Sequence, residues 1–128
     1  MPAQTRNEDA ARTALALADL RDLIQRRHVE HSTSLQGVML VRADAPTVST
    51  AIVSEPMLCL GAQGRKRIAM GEQVLALGTA ASLIVTLTMP VASQVVEASA
   101  EAPYLAVGFA LDLPVLADLL LTMPPAPP

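Results

Sequence analysis

The chain has 128 residues, one domain's worth, and a domain of this length buries roughly two-thirds of the surface its unfolded chain exposes, so a core can form without staples. Apolar residues make up 52% and charged residues 16%, with a mean hydropathy of +0.41, which excludes disorder over most of the length. One cysteine excludes a disulfide framework and a multi-cysteine zinc site, and the net charge of −3 lacks the basic excess of a nucleic-acid-binding surface.

Trp is absent and there is one Tyr and one Phe, so stacking of bases, sugars or flat cofactors is disfavoured. The uncharged stretch from Gln73 to Val96 is long enough to raise a membrane span. Gly78, Pro90 and five hydroxyl residues interrupt it, and no basic flank lies close, so it reads as three short strands. Residues 1–30 mix acids and bases and do not form a signal peptide, which makes cytoplasmic the default location.

The first predicted element is a helix from Asn7 to Arg27. Thr5 and Glu8 read as a capping box ahead of it, and Arg21, Arg26 and Arg27 complement its negative end. Leu17, Leu20 and Ile24 form one apolar stripe, with Leu23 widening it. His28 to Gln36 is polar and predicted as a loop.

From Gly37 the period changes. Eight short apolar runs follow: Val38–Val41, Val48–Val53, Met57–Ala62, Arg67–Met70, Val74–Leu77, Leu83–Leu87, Gln94–Ala98 and Leu105–Leu111. Turn signals separate them, including Glu55-Pro56, Gln63-Gly64, Gly71-Glu72, Gly78-Thr79, Met89-Pro90 and Ala102-Pro103. Short strands at near-regular spacing predict a β-sandwich or barrel. The Arg67–Leu77 hairpin around Gly71 is the clearest, since glycine supplies the positive φ of a tight turn. In the last strand Leu105, Val107, Phe109 and Leu111 share one face. Tyr104, Ala106, Gly108 and Ala110 share the other, leaving either a close sheet contact or a cavity. After Pro114 a short helix is predicted on Leu116, Leu119 and Leu120, ending at the stiff proline run of residues 124–128.

Few groups offer chemistry. His28 and His31 lack the further ligands of a metal set. Cys59 is flanked by apolar residues and reads as a buried, inert thiol; the alternative is a sensing thiol activated by Arg65 or Arg67. Arg65-Lys66-Arg67 reads as a solvated strand edge rather than a phosphate or nucleic-acid site. Gly61-x-x-Gly64 lacks the rest of a phosphate loop. Glu97 and Glu101 lack the aromatic platforms of a glycosidase cleft.

Several segments in order resemble one family. They are Ala45-Pro46-Thr47, Ser54-Glu55-Pro56-Met57-Leu58-Cys59-Leu60, Ala62-Gln63-Gly64-Arg65-Lys66-Arg67, Met70-Gly71-Glu72, Met89-Pro90-Val91, Gln94 to Ser99, and Glu101-x-Pro103-Tyr104-Leu105. Together, over roughly Leu35 to Leu121, they resemble the N-terminal domain of AraC-type transcriptional regulators. The resemblance implies a mainly β fold, a cupin-like antiparallel β-barrel (double-stranded β-helix), with an N-terminal helix and a short C-terminal helix. It implies residues 1–34 as helix and loop, 35–123 as the effector-binding domain and 124–128 as the start of a linker. It further implies a small-molecule effector, a homodimer, and DNA contact only through a C-terminal helix-turn-helix domain absent from this chain; the interrupted Gln73–Val96 stretch already argues against membrane association.

The chain departs from the family pattern at Thr79-Ala80-Ala81-Ser82, where a second glycine and an aromatic are usual, and at Thr88, where an acid is usual. The class of ligand is therefore not carried over. Enzymatic cupins place a histidine-rich metal set in the barrel. No histidine follows His31, so neither catalysis, nor a metal, nor a cofactor is expected. Strand alternation nominates Gln63, Arg67, Thr86, Thr88, Gln94 and Tyr104 to face a ligand, with Cys59 as a further candidate; a rim or surface position is the alternative for each. Glu55, Pro56, Gly64, Gly71 and Pro90 read as turn and framework residues. A stand-alone cupin-like binding protein or enzyme, and a purely structural dimerisation module, are the competing readings.

Overall fold

The computed structural model describes residues 2–27 and 36–125, with side chains from Asn7 onward. The predicted loop at His28 to Gln36, with both histidines, lies outside the described residues except for Gln36, which begins a turn.

Helix α1 spans Pro2–Arg27, five residues longer at its start than predicted. Thr5 therefore stands inside the helix and is not its cap. Proline is favoured in a first turn because its fixed φ is already helical and the N–H it lacks would have no partner. Ile24 is fully buried, Leu17 and Leu20 are half-buried, and Leu23 is exposed, so the stripe is narrower than predicted.

Eight strands follow, one for each predicted run: β1 (Val38–Ala43), β2 (Thr50–Ser54), β3 (Met57–Gln63), β4 (Arg65–Met70), β5 (Gln73–Leu77), β6 (Ser82–Val85), β7 (Met89–Glu97) and β8 (Tyr104–Ala110). Helix α2 (Leu113–Thr122) closes the described chain. The Gln73–Val96 stretch is indeed three strands, and among the described residues no helix is long and apolar enough to cross a membrane.

The strands form two antiparallel sheets, ordered β1-β8-β3-β6 and β2-β7-β4-β5. That order is a jelly roll, the double-sheet arrangement found in cupins, in which all pairings but the β4–β5 hairpin join strands that are not consecutive in the chain. The predicted cupin-like fold is present, with one correction: the barrel is not closed. No strand pairing joins the sheets among the described residues, so they face one another as a sandwich held by side chains.

Met89-Pro90, predicted as a turn, begins β7 instead. Pro90 pairs only with Val53 of β2, because β4 joins β7 from Ala92 onward, so the missing N–H interrupts no central ladder. The β4–β5 turn holds Gly71 at φ +60 as the first of two central residues, the conformation that favours glycine there.

Helix α1 covers the outer face of the first sheet, where Ile24, Ala62 and Leu105 are fully buried together and Leu20 and Leu40 pack beside them. The inner face carries Tyr104 and Ala106, which meet Val95 of the opposite sheet, with Val41, Ala43 and Ala98 around them. Alternation in β8 thus separates its faces as predicted. The small-residue face is a close sheet contact at Tyr104 and Ala106, while at Gly108 the end of the Met57 side chain fills the space a Cβ would need.

Candidate functional site

The registers settle which side chains enter the gap. In the first sheet Cys59 lies opposite Gly108, and Leu83 lies opposite Cys59, so all three share the face of Tyr104 and Ala106. In the second sheet Lys66 lies between Val95 of β7 and Leu77 of β5. Val95 belongs to the inner cluster and Leu77 is buried, so the half-buried Lys66 side chain is inward-facing too. Cys59, Lys66 and Tyr104 therefore come together from three strands, two on one sheet and one on the other.

Their electrostatics agree with this placement. Burial pushes the Tyr104 hydroxyl up to about 12, with Cys59 adding to the rise. Burial also raises the Cys59 thiol, and the positive charge of Lys66 partly offsets this. Lys66 itself is lowered, first by burial. Near neutral pH the site thus presents a neutral phenol and a protonated thiol.

Gly64 sets the position of Tyr104. It has φ +78, and a Cβ there would lie 2.6 Å from the Glu97 carbonyl oxygen and 2.9 Å from the Tyr104 Cα. The β3–β4 connection can pass this close to β8 because the residue is glycine. The Gln63 amide reinforces the join by donating from Nε2 to the Pro103 carbonyl at 2.9 Å.

Of the seven nominated residues, Cys59 and Tyr104 occupy the inner face. Gln63 is engaged with Pro103. Arg67 and Gln94 are paired with each other on the outer face of the second sheet. Thr86 lies one residue beyond β6, where strand alternation no longer applies, and it is exposed. The Thr88 hydroxyl donates to Glu55 Oε2 at 2.9 Å on the exposed rim.

Two readings of the basic cluster are corrected. Strand β4 is central, flanked by β7 and β5, so it is not a sheet edge. The cation facing Cys59 is Lys66, while Arg65 sits 3.7 Å from Glu97 and is exposed. Sequence reasoning missed Lys66, although a signal existed: Ile68 marks the buried face of β4, and Lys66 shares its parity.

Beside this cluster lies a cavity of about 180 Å³, lined by Ile68, Leu75, Ala76, Leu77, Ser82 and Leu83. Two of its walls, Leu77 and Leu83, are the cross-strand neighbours of Lys66 and Cys59. No group of three or more acidic, histidine or cysteine side chains converges among the described residues.

The strand order and inward-facing groups define a cupin-like domain with a polar cluster and an apolar cavity between its sheets. The family described as the AraC-type transcriptional regulator N-terminus matches residues 34–128, and the chain belongs to it. No curated protein matches the sequence.

Solved structures similar to the chain include the hydroxypropylphosphonic acid epoxidase of S. wedmorenis, at 16% identity and TM-score 0.45, covering 58% of this chain and 42% of the enzyme. The Cnp3 cupin domain of Schizosaccharomyces pombe aligns at 14% identity and TM-score 0.48, over 68% of this chain and 61% of that one. A cupin-2 domain protein of Shewanella frigidimarina aligns at 11% and 0.42, over 62% and 76%. Likeness at this level transfers no residue role, and the cupin-like assignment stands on the strand order itself.

Proposed function

We propose that this chain is the small-molecule-sensing, dimerising part of an AraC-type transcription regulator, acting in the cytoplasm on a helix-turn-helix DNA-binding portion outside these 128 residues. The family match over residues 34–128 carries the reading. The inner cluster supports it, because an apolar gap with a few convergent polar groups is how small ligands are held. Cys59, Tyr104 and Lys66 are the proposed ligand-facing residues.

The route from ligand to output is short. Strand β8 carries Tyr104, and only Leu111 and Asp112 separate it from α2. Asp112 caps that helix, its Oδ1 accepting from the Val115 N–H at 3.2 Å. Helix α2 has no buried residue, and Leu113, Leu116, Leu119, Leu120 and Leu121 are all exposed. A second copy of the chain covering this helix accounts for so much exposed leucine. An effector that binds one placement of β8 and α2 more tightly than another shifts the population toward it, by no more than that difference in affinity.

On this reading the chain is a switch without catalysis. A thermal-shift screen against small aldehydes, sugars and aromatic acids tests it: a ligand bound only by the folded state raises the melting temperature. Silence across the panel would leave a structural dimerisation module. Stoichiometric iron, zinc or manganese in the purified chain would instead favour a stand-alone cupin-like binding protein or enzyme. Light scattering of Leu116→Glu and Leu120→Glu variants tests the dimer, which both should dissociate.

A further inference from the structure

Among the described residues, the gap between the sheets holds a cation without an anion. Lys66 is half-buried, and its neighbours across both ladders, Val95 and Leu77, are buried apolar residues. The group facing it is the Cys59 thiol from β3; the Tyr104 phenol from β8 lies on the far side of that thiol in the same gap, with Ser93 farther along β7. None is a carboxylate. Among the described residues Lys66 makes no ion pair or hydrogen bond, and neither does the Tyr104 hydroxyl, although Tyr104 is only 1% exposed. Among the described residues no polar side-chain atom wholly cut off from solvent lacks a partner, so that hydroxyl still touches open space. The chain has 12 acids and a net charge of −3, yet the nearby Glu97 is exposed beside Arg65 and the inner cation is left unmatched. Drawing an ammonium partly out of water without a partner is costly, and a bound anion removes that cost.

The adjoining cavity describes the rest of the ligand. Its volume of about 180 Å³ and mainly apolar lining suit a hydrocarbon body, since a cavity of about 150 Å³ lined by apolar side chains already admits benzene. We propose that the gap binds a small organic monoanion, a carboxylate with an apolar body of roughly benzene size. Its charged end accepts from Lys66 Nζ and Tyr104 Oη, and its body lies against Leu77, Leu83 and Ile68. This rests on the sensing role and specifies the chemistry of that site. The raised Tyr104 keeps its proton and so remains a donor to the carboxylate across the neutral range.

The test compares matched acids and amides on the purified chain by calorimetry and thermal shift: benzoate with benzamide, cyclohexanecarboxylate with its amide, and butyrate with butyramide. At least one acid should bind about tenfold or more tightly than its amide, the scale of a charge-assisted hydrogen bond. Lys66→Met and Tyr104→Phe should each weaken the acid by a larger factor than the amide, whose neutral carbonyl gains less from the same donors. Without ligand, Lys66→Met should melt about 3 °C or more above the parent, because it removes an unmatched charge while keeping the stem. Acid binding should also fade as pH rises through the lowered Lys66 range, where Cys59 and Tyr104 are the other facing groups that titrate.

Equal binding of acid and amide, acid binding untouched by Lys66→Met, or no binding by any acid overturns the proposal. If neutral compounds of the broad panel bind while the acids do not, the anion site falls and the sensing role stands. Silence in both experiments removes both.

Discussion

On one face of β8, Leu105 lies fully buried beneath Ile24 of α1, with Ala62 beside it. On the other, Tyr104 and Ala106 meet Val95 across the gap, where Lys66 and Cys59 also face. The two faces share a backbone and differ in what covers them. A helix covers the outer face with aliphatic side chains, and its Arg21 guanidinium donates to the Ala62 carbonyl at 3.3 Å. The inner face meets a second sheet, and one of the groups it meets is an ammonium. Alternation thus lets a single strand contribute stability on one side and a polar cluster on the other.

The largest expected effect tests the sealed face. Leu105→Ala should cost about 3 kcal/mol in urea unfolding, the scale of deleting a fully buried leucine, without altering ligand selectivity. Loss of selectivity at equal occupancy would show that the faces are coupled. Gly64→Ala should cost about 2 kcal/mol or more, since it strains a positive φ and drives a Cβ into the Glu97 carbonyl, and it should also displace Tyr104.

Alkaline pH tests the inner face. Tyr104 titrates near 10 in the unfolded chain and at about 12 in the folded one, so folding binds its proton more tightly. Its contribution is complete below pH 10 and is lost as pH rises toward 12, about 2–3 kcal/mol in all. Urea midpoints across this range should fall more for the parent than for Tyr104→Phe; parallel curves would place the phenol in water. Gln63→Ala, which deletes the bond to Pro103, should cost about 1 kcal/mol. Arg65→Ala should cost under about 0.5 kcal/mol, because its pairing with Glu97 is long and exposed, and in double-mutant cycles it should show no coupling to Lys66.

Element type was legible from the sequence. Each apolar run became a strand, because short runs bounded by Gly, Pro and polar turn residues have few other ways to bury themselves. The ends were less so. Helix α1 runs on through Thr5 to Pro2, where a strong local capping signal was overridden. The candidate site was half legible. Tyr104 was readable from β8, whose two faces differ plainly in size. Arg67 and Gln94 were misjudged by one residue of parity: β4 carries Arg65, Lys66 and Arg67 in succession, and β7 carries Val95 and Val96 side by side. A period of two cannot be phased from neighbours that look alike.

Composition, strand count and family membership therefore belonged to the sequence, because each depends on local residue patterns or on their order along the chain. Which face of β4 turns inward, and that its lysine meets the β3 thiol beside the β8 phenol, was decided by the tertiary structure. Tyr104 lies far from the other two in sequence, Cys59 and Lys66 stand on consecutive strands of opposite sheets, and their meeting depends on how those two sheets pack.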